Sequence, residues 1–157
     1  MRNVKLEDIL KQKNFKNARE KVVVNLVYTH SWLQPLLRQI FSEFGLTQAQ
    51  YNVLRILRGQ YPESASILLI QERMIFKQSD VSRLVDRLLA KGLVKRKTCG
   101  LDRRKMDVLI TKKGHEILDD IETPLTERQF QMTRNLDDDE ILTLNSLLDK
   151  LRNEGAQ

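Results

Sequence analysis

The chain has 157 residues, 27 Lys and Arg against 21 Asp and Glu, and a formal net charge of +6 at pH 7. With 41% hydrophobic and 31% charged residues it excludes an intrinsically disordered chain, and its length suits one domain with helical extensions. A single Cys, Cys99, excludes an intramolecular disulfide framework and fits a reducing compartment. Only six Gly and three Pro argue for long helices rather than a turn-rich sandwich or barrel. The opening MRNVKLEDILKQKNFKNAREK holds no apolar signal core, and no run of roughly 18 apolar residues could cross a membrane, so a cytoplasmic protein is expected.

Residues 1–14 are polar and weakly periodic, a short helix or a loose arm. From about Phe15 to Phe44 apolar residues step by three and four, through Val22, Val23, Leu26 and Val27 and then Leu33, Leu36, Leu37, Ile40, Phe41 and Phe44. Pro35 falls inside this run and predicts a kink or a restart near Ser31. Gly45 suits the position after the helix end. The next helix is predicted from Thr47 to about Arg58, ending before Gly59, with Thr47 and Gln50 as a capping box and Leu46 and Tyr51 as its hydrophobic staple. A turn at Tyr61, Pro62 and Glu63 leads to an extended Ser64 to Ser66 and a short helix from Ile67 to about Met74. The segment SDVSRLVDRLLAKG reads as a strong amphipathic helix, with Val81, Leu84, Val85, Leu88 and Leu89 on one face and Ser79, Arg83, Asp86, Arg87 and Ala90 on the other. Neither Phe76 nor Lys77 is a good N-cap, so its start is open; Gly92 ends it.

The period then changes from 3.6 to 2. Leu93 to Thr98 and Met106 to Thr111 are β-prone runs around a polar stretch, Cys99 to Arg104, and predict an antiparallel hairpin with a basic tip. Two long helices follow. One spans about Lys112 to Asn135, with a bend expected at Pro124, and the other is opened by Asp137 as N-cap with Glu140 three residues on. The fold class is mainly α with a small β-hairpin (α+β).

Where the charge sits says more than its sum. From Arg73 to Lys113 there are thirteen basic residues against four acids, a net of +9, so the rest of the chain carries −3. Residues Glu116 to Glu154 alone hold eleven acids and four bases. A basic middle between neutral and acidic flanks points to a polyanion-binding face; the alternative is a solvated charged surface.

The order short helix, turn, helix, basic hairpin is the plan of a winged helix-turn-helix. A helix about 12 Å across fits the major groove, so one polar face would read base edges while the other packs on the domain. Ser79 and Arg83 lie on that outer face with Ser82 beside them, and an arginine presents two parallel donors that suit guanine O6 and N7. Arg87 and Asp86 are further outward, the acid suited to orienting an arginine. Arg103, Arg104 and Lys105 at the hairpin tip suit a minor groove, with Asp102 holding one arginine, while Lys95, Arg96 and Lys97 on the first strand would neutralise phosphate or guard a strand edge. The candidate DNA-binding set is therefore Gln78, Ser79, Ser82, Arg83, Arg87, Lys97, Arg103, Arg104 and Lys105.

From about Leu26 to Arg152 the chain resembles the MarR family of bacterial transcriptional regulators. The stretches that carry the likeness are SDVSRLVDRLLAKGLVKRKTCGLDRRKMDVLITKKG and LDDDEILTLNSLLDKL. The family's wing pattern is met by Asp102, Arg104, Ile110-Thr111 and Gly114. The resemblance implies a homodimer whose N- and C-terminal helices interlock (residues 1–45 and 114–157) around a DNA-binding domain at 46–113. It implies a pseudo-palindromic operator with half-sites about one helical turn apart. The apolar stripes of the first and last helices support a dimer independently, although they could also pack within one monomer. Many members release DNA when a small aromatic or lipophilic anion binds between the dimer helices and the winged domain; Tyr28, His30, Trp32, Tyr51 and Arg55 are candidates to line such a site. Some relatives sense oxidants through a cysteine, and nearby Arg96, Lys97 and Arg103 could favour a Cys99 thiolate, although a wing cysteine without a resolving partner has a bland reading too.

A helical interaction module whose basic face binds an acidic protein is the alternative from another class. Enzyme readings find little: the two histidines, His30 and His115, stand alone, and there is no glycine-rich phosphate loop and no Cys/His metal spacing. No cofactor or metal is expected.

Overall fold

In a computed structural model the described residues are 4–12, 14–77, 79–98 and 106–153. Gln78, Cys99, Asp102, Arg103, Arg104 and Lys105 lie outside them. The chain divides into two units, Met1–Gln48 and Ala49–Gln157.

The first unit holds α1 (Leu6–Leu10) and α2 (Ala18–Glu43). Asn17 caps α2, its side chain accepting from the Glu20 N–H at 2.9 Å. The Lys21 ammonium donates to the Glu7 carboxylate at 2.6 Å, tying α1 to α2 and holding the Glu7 pKa below the ordinary carboxylate range. At the other end Gly45 takes φ 65°, so the Leu46 N–H reaches the Phe41 carbonyl and the Gly45 N–H that of Ser42. This is a Schellman ending, and its apolar pair, Phe41 and Leu46, is buried. The restart expected near Ser31 does not occur, because α2 runs unbroken through Pro35. A proline removes one N–H from the ladder and crowds the carbonyl four residues back, a cost of about 3 kcal/mol that a 26-residue helix with buried Ile40 and Phe41 absorbs.

The second unit holds α3 (Gln48–Gln60, its first residue in the preceding unit), α4 (Ile67–Arg73), α5 (Val81–Ala90), β1 (Val94–Thr98), β2 (Met106–Ile110), α6 (Lys112–Thr133) and α7 (Asp138–Arg152). Its interior is filled from every element but α7: Val53, Leu54 and Leu57, then Ile70, Leu88, Val94, Val108, Leu118 and Ile121 are all buried. Each of the larger ones contributes roughly 1.5–3 kcal/mol by leaving water. Helix α3 does not stop before Gly59 but passes through it to Gln60. A Cβ at Gly59 would meet nothing within 4 Å, so this glycine is a weak helix former rather than a terminator. Pro124 likewise interrupts nothing in α6, whose buried Ile121 and Leu125 flank it.

Strands β1 and β2 pair antiparallel, with Val94 opposite Ile110, Arg96 opposite Val108 and Thr98 opposite Met106. Ala65 pairs with Val108 through bonds of 2.9 and 2.8 Å, so the extended segment before α4 lengthens the sheet. The base of the hairpin is built by three residues. Gly92 takes φ 69° and closes α5 in a second Schellman turn, Leu93 N–H to Leu88 and Gly92 N–H to Leu89. Thr111 caps α6 by accepting from the Gly114 N–H at 3.1 Å while its hydroxyl donates to the Gly92 carbonyl at 2.8 Å. A Cβ on Gly114 would stand 2.2 Å from the Leu93 carbonyl oxygen and 2.6 Å from Ile110, so only glycine lets α6 leave the sheet at this point.

Candidate nucleic-acid interface

Ser66 caps α4, and residues 74–77 and 79–80 lie between α4 and α5 outside either helix. Met74 is buried under the turn, and the Ile75 N–H donates to the Asn52 side chain of α3 at 2.9 Å, which anchors the turn to the unit's core. The N-cap of α5 is Asp80, whose carboxylate accepts from the Arg83 N–H at 3.1 Å. Its second oxygen meets the Arg83 guanidinium at 3.3 Å. One acid thus starts the helix and orients the arginine beside it. Asp80 supplies the cap that neither Phe76 nor Lys77 offers, and an Asp just before the first buried residue of an apolar stripe is the usual signal for one.

Helix α5 buries Val81, Leu84, Val85 and Leu88 and exposes Ser82, Arg83, Asp86 and Arg87. The Arg83 side chain is 80% exposed. Ser79, expected on this outer face, is not on the helix: it lies in the turn ahead of the Asp80 cap and is half-buried, its N–H donating to the Phe76 carbonyl. The helical period reaches Ser79 only if the helix starts before Asp80, and it starts after it. On β1, Lys95, Arg96 and Lys97 are all exposed. Lys97 sits opposite Asp107, which accepts from the Ser64 hydroxyl at 3.2 Å. The Arg96 guanidinium meets Asp86 of α5 at 2.7 Å. That pair joins residues ten apart on two elements, and nothing in the sequence period announces it.

Between residues 79 and 98 the acids are Asp80 and Asp86, and each is engaged by an arginine. The cations of α5 and β1 therefore face solvent with their local acids neutralised, an arrangement that attracts a polyanion. Of the residues expected to line an effector site, Tyr51 and Arg55 are one turn apart on α3, the guanidinium donating to the phenol oxygen at 3.4 Å. Tyr28 and Trp32 are one turn apart on α2, the first half-buried and the second exposed, whereas His30 lies two residues from each and points to a different side of the helix. Among the described residues no three His, Cys, Asp or Glu stand close enough to hold a metal, and no helix is long and apolar enough to cross a membrane.

A helix-turn-helix followed by a two-stranded wing, with a charged reading helix packed by its apolar stripe, defines a winged-helix DNA-binding domain. Residues 44–105 match the MarR family. The chain is similar over 87% of its length, at 32% identity, to a MarR transcription factor from Planctomyces limnophilus, covering 98% of that structure with a TM-score of 0.67. The chain belongs to the MarR family of transcription regulators. It shares its fold with BpsR of Bordetella bronchiseptica (TM-score 0.78, 22% identity, 90% of this chain and 100% of that one), a structure that addresses regulation of DNA binding by 6-hydroxynicotinic acid. It also shares its fold with a mutant MarR from E. coli complexed with operator DNA (TM-score 0.71, 23% identity, 95% and 99%).

Proposed function

We propose that this regulator is a cytoplasmic repressor that binds a pseudo-palindromic operator as a homodimer and lets go when a small aromatic or lipophilic anion binds. The observation that carries the DNA reading is the reading helix itself: Arg83, four-fifths exposed, is held at the start of α5 by the Asp80 that caps it. Arg83 would read a base, flanked by Gln78, Ser79, Ser82 and Arg87, and Lys97 would neutralise phosphate beside the Arg103, Arg104 and Lys105 of the wing tip. The E. coli relative held on operator DNA supports this reading.

The dimer reading rests on unpartnered apolar surface. Helix α7 has no buried residue, and Leu142, Leu144, Leu147 and Leu151 are exposed, as are Val22, Val23 and Val27 on α2 and Phe130 on α6. A 15-residue helix of this kind needs tertiary packing to persist, and a second copy of the chain supplies a matching stripe. Residues 1–45 and 114–157 would then form the dimer and 46–113 the reading head. The effector reading draws on BpsR and 6-hydroxynicotinic acid, with Tyr28, Trp32, Tyr51 and Arg55 as contacts and His30 the least favoured.

Selection of bound duplexes from a random pool tests the proposal. Enriched sequences should hold two inverted half-sites about 10 base pairs apart, centre to centre. A single half-site would contradict the dimer, and no enrichment would contradict sequence-specific binding in favour of a basic interaction module. Release of the selected duplex should then follow addition of an aromatic carboxylate, and a panel without any releasing compound would remove the effector.

A further inference from the structure

The wing is fastened to the reading helix at its base, where the Leu93 N–H bonds the Leu88 carbonyl and Thr111 bonds that of Gly92. On its β2 side the hairpin is also tied to the segment before α4, where Val108 pairs with Ala65 and Asp107 accepts from Ser64, but neither of those bonds joins β1 to the reading helix. Three residues beyond Leu93, the Arg96 guanidinium reaches back to the Asp86 carboxylate at 2.7 Å. Asp86 stands on the exposed side of α5, three residues after Arg83 and next to Arg87, and each partner of the ion pair is about half exposed. The ion pair adds a direct side-chain tie between β1 and the reading helix, so the hairpin is held to α5 along its first strand as well as at its base.

We infer that Asp86 and Arg96 are positioning residues, a latch that sets the angle of the wing against the reading helix so that both meet one stretch of duplex without further ordering. The inference rests on the DNA-binding reading above. Binding is tighter when the contacting groups are ordered beforehand, so the latch acts on affinity through preorganisation rather than through a contact. It also removes Asp86 as a bare negative charge beside the phosphates.

The competing assignment, Arg96 as a phosphate contact, gives opposite signs. If Arg96 touched phosphate, Asp86 would oppose binding, Asp86→Ala would tighten it, and Arg96→Ala would lower the salt slope by about one. The latch predicts that Asp86→Ala and Arg96→Ala each weaken binding to the selected duplex by roughly three- to tenfold, and that the double variant is no weaker than either single one. The salt slope should be unchanged, and exchanging the charges with Asp86→Arg and Arg96→Asp should recover most of the affinity. Melting temperatures should stay together, since an exposed ion pair contributes little to folding. In the protein without DNA, amide exchange in residues 94–98 and 106–110 should quicken in both single variants. Quickened exchange together with weaker, non-additive binding supports the latch. Wild-type protein without any preferred duplex would fail the DNA reading and the purpose assigned to the pair with it. Normal wild-type binding with Asp86→Ala equal or tighter, with additive losses, or with unchanged hairpin exchange would overturn the latch alone.

Discussion

Helices α5 and α7 are both amphipathic, and they use their apolar stripes in opposite ways. In α5 the stripe Val81, Leu84, Val85 and Leu88 is buried within the chain, which leaves a charged face outside. In α7 the stripe Leu144, Leu147 and Leu151 is exposed although the helix is locally the better made. It has a full capping box between Asp137 and Glu140, acids in its first turn and Lys150 and Arg152 in its last. Caps and dipole partners contribute about 1 kcal/mol each and specify that a helix forms; they do not say what it packs against. The helix that completes its packing inside the chain is free to read another molecule with its polar side. The helix that does not complete it leaves its apolar side open, the side that the proposed dimer would cover.

The largest effect should come from breaking the second half of that comparison. Leu147→Glu with Leu151→Glu places two charges on the exposed stripe and should convert the protein to a monomer in analytical ultracentrifugation, with operator affinity down by at least about 100-fold because two half-sites no longer act together. A dimer that survived both changes would remove α7 from the interface. Next in size is Gly114→Ala. Its Cβ has to displace the Leu93 carbonyl and Ile110, a cost of about 3 kcal/mol or a melting temperature lower by roughly 6–12 °C; a melt within a degree or two of wild type would contradict the close approach. Asp80→Ala removes the α5 cap and should cost about 1 kcal/mol in thermal or denaturant unfolding. Gly59→Ala should act in the other direction and raise stability by about 0.5–1 kcal/mol, because its Cβ enters open space on a helix.

Much of this could be read from the residues because the deciding forces are local. The spacing of Val81 to Leu88 specifies which side of α5 is buried, and alternation from Met106 to Ile110 specifies the strand. The pair Asp137 and Glu140 specifies the start of α7. Gly92 and Gly45 were legible as helix ends because both take a left-handed φ that other residues avoid. A restart at Pro35 and an end at Gly59 do not occur for a related reason: both residues disfavour a helix locally, and packing along the rest of α2 and α3 outweighs one missing bond or one entropy term. Ser79 fits the period of α5 but lies ahead of the Asp80 cap, which periodicity alone does not place. That Asp86 holds an arginine is legible from its place on the outer face, but that the arginine is Arg96 is not, since it depends on the angle at which the hairpin leaves Gly92. The same limit applies to the likeness itself, which identified the wing by Asp102, Arg104 and Gly114 and is silent on what each side chain touches.

The central claim is that Arg83, held by Asp80 on the exposed face of α5, reads a base. The most direct measurement is a binding titration of wild type and Arg83→Ala against the selected operator and against a scrambled duplex of equal length at one salt concentration. The account predicts a loss on the operator of at least about tenfold, the value of one good arginine–base pair, with a loss on the scrambled duplex of no more than about threefold. Equal losses on the two duplexes would make Arg83 a phosphate contact and contradict the claim.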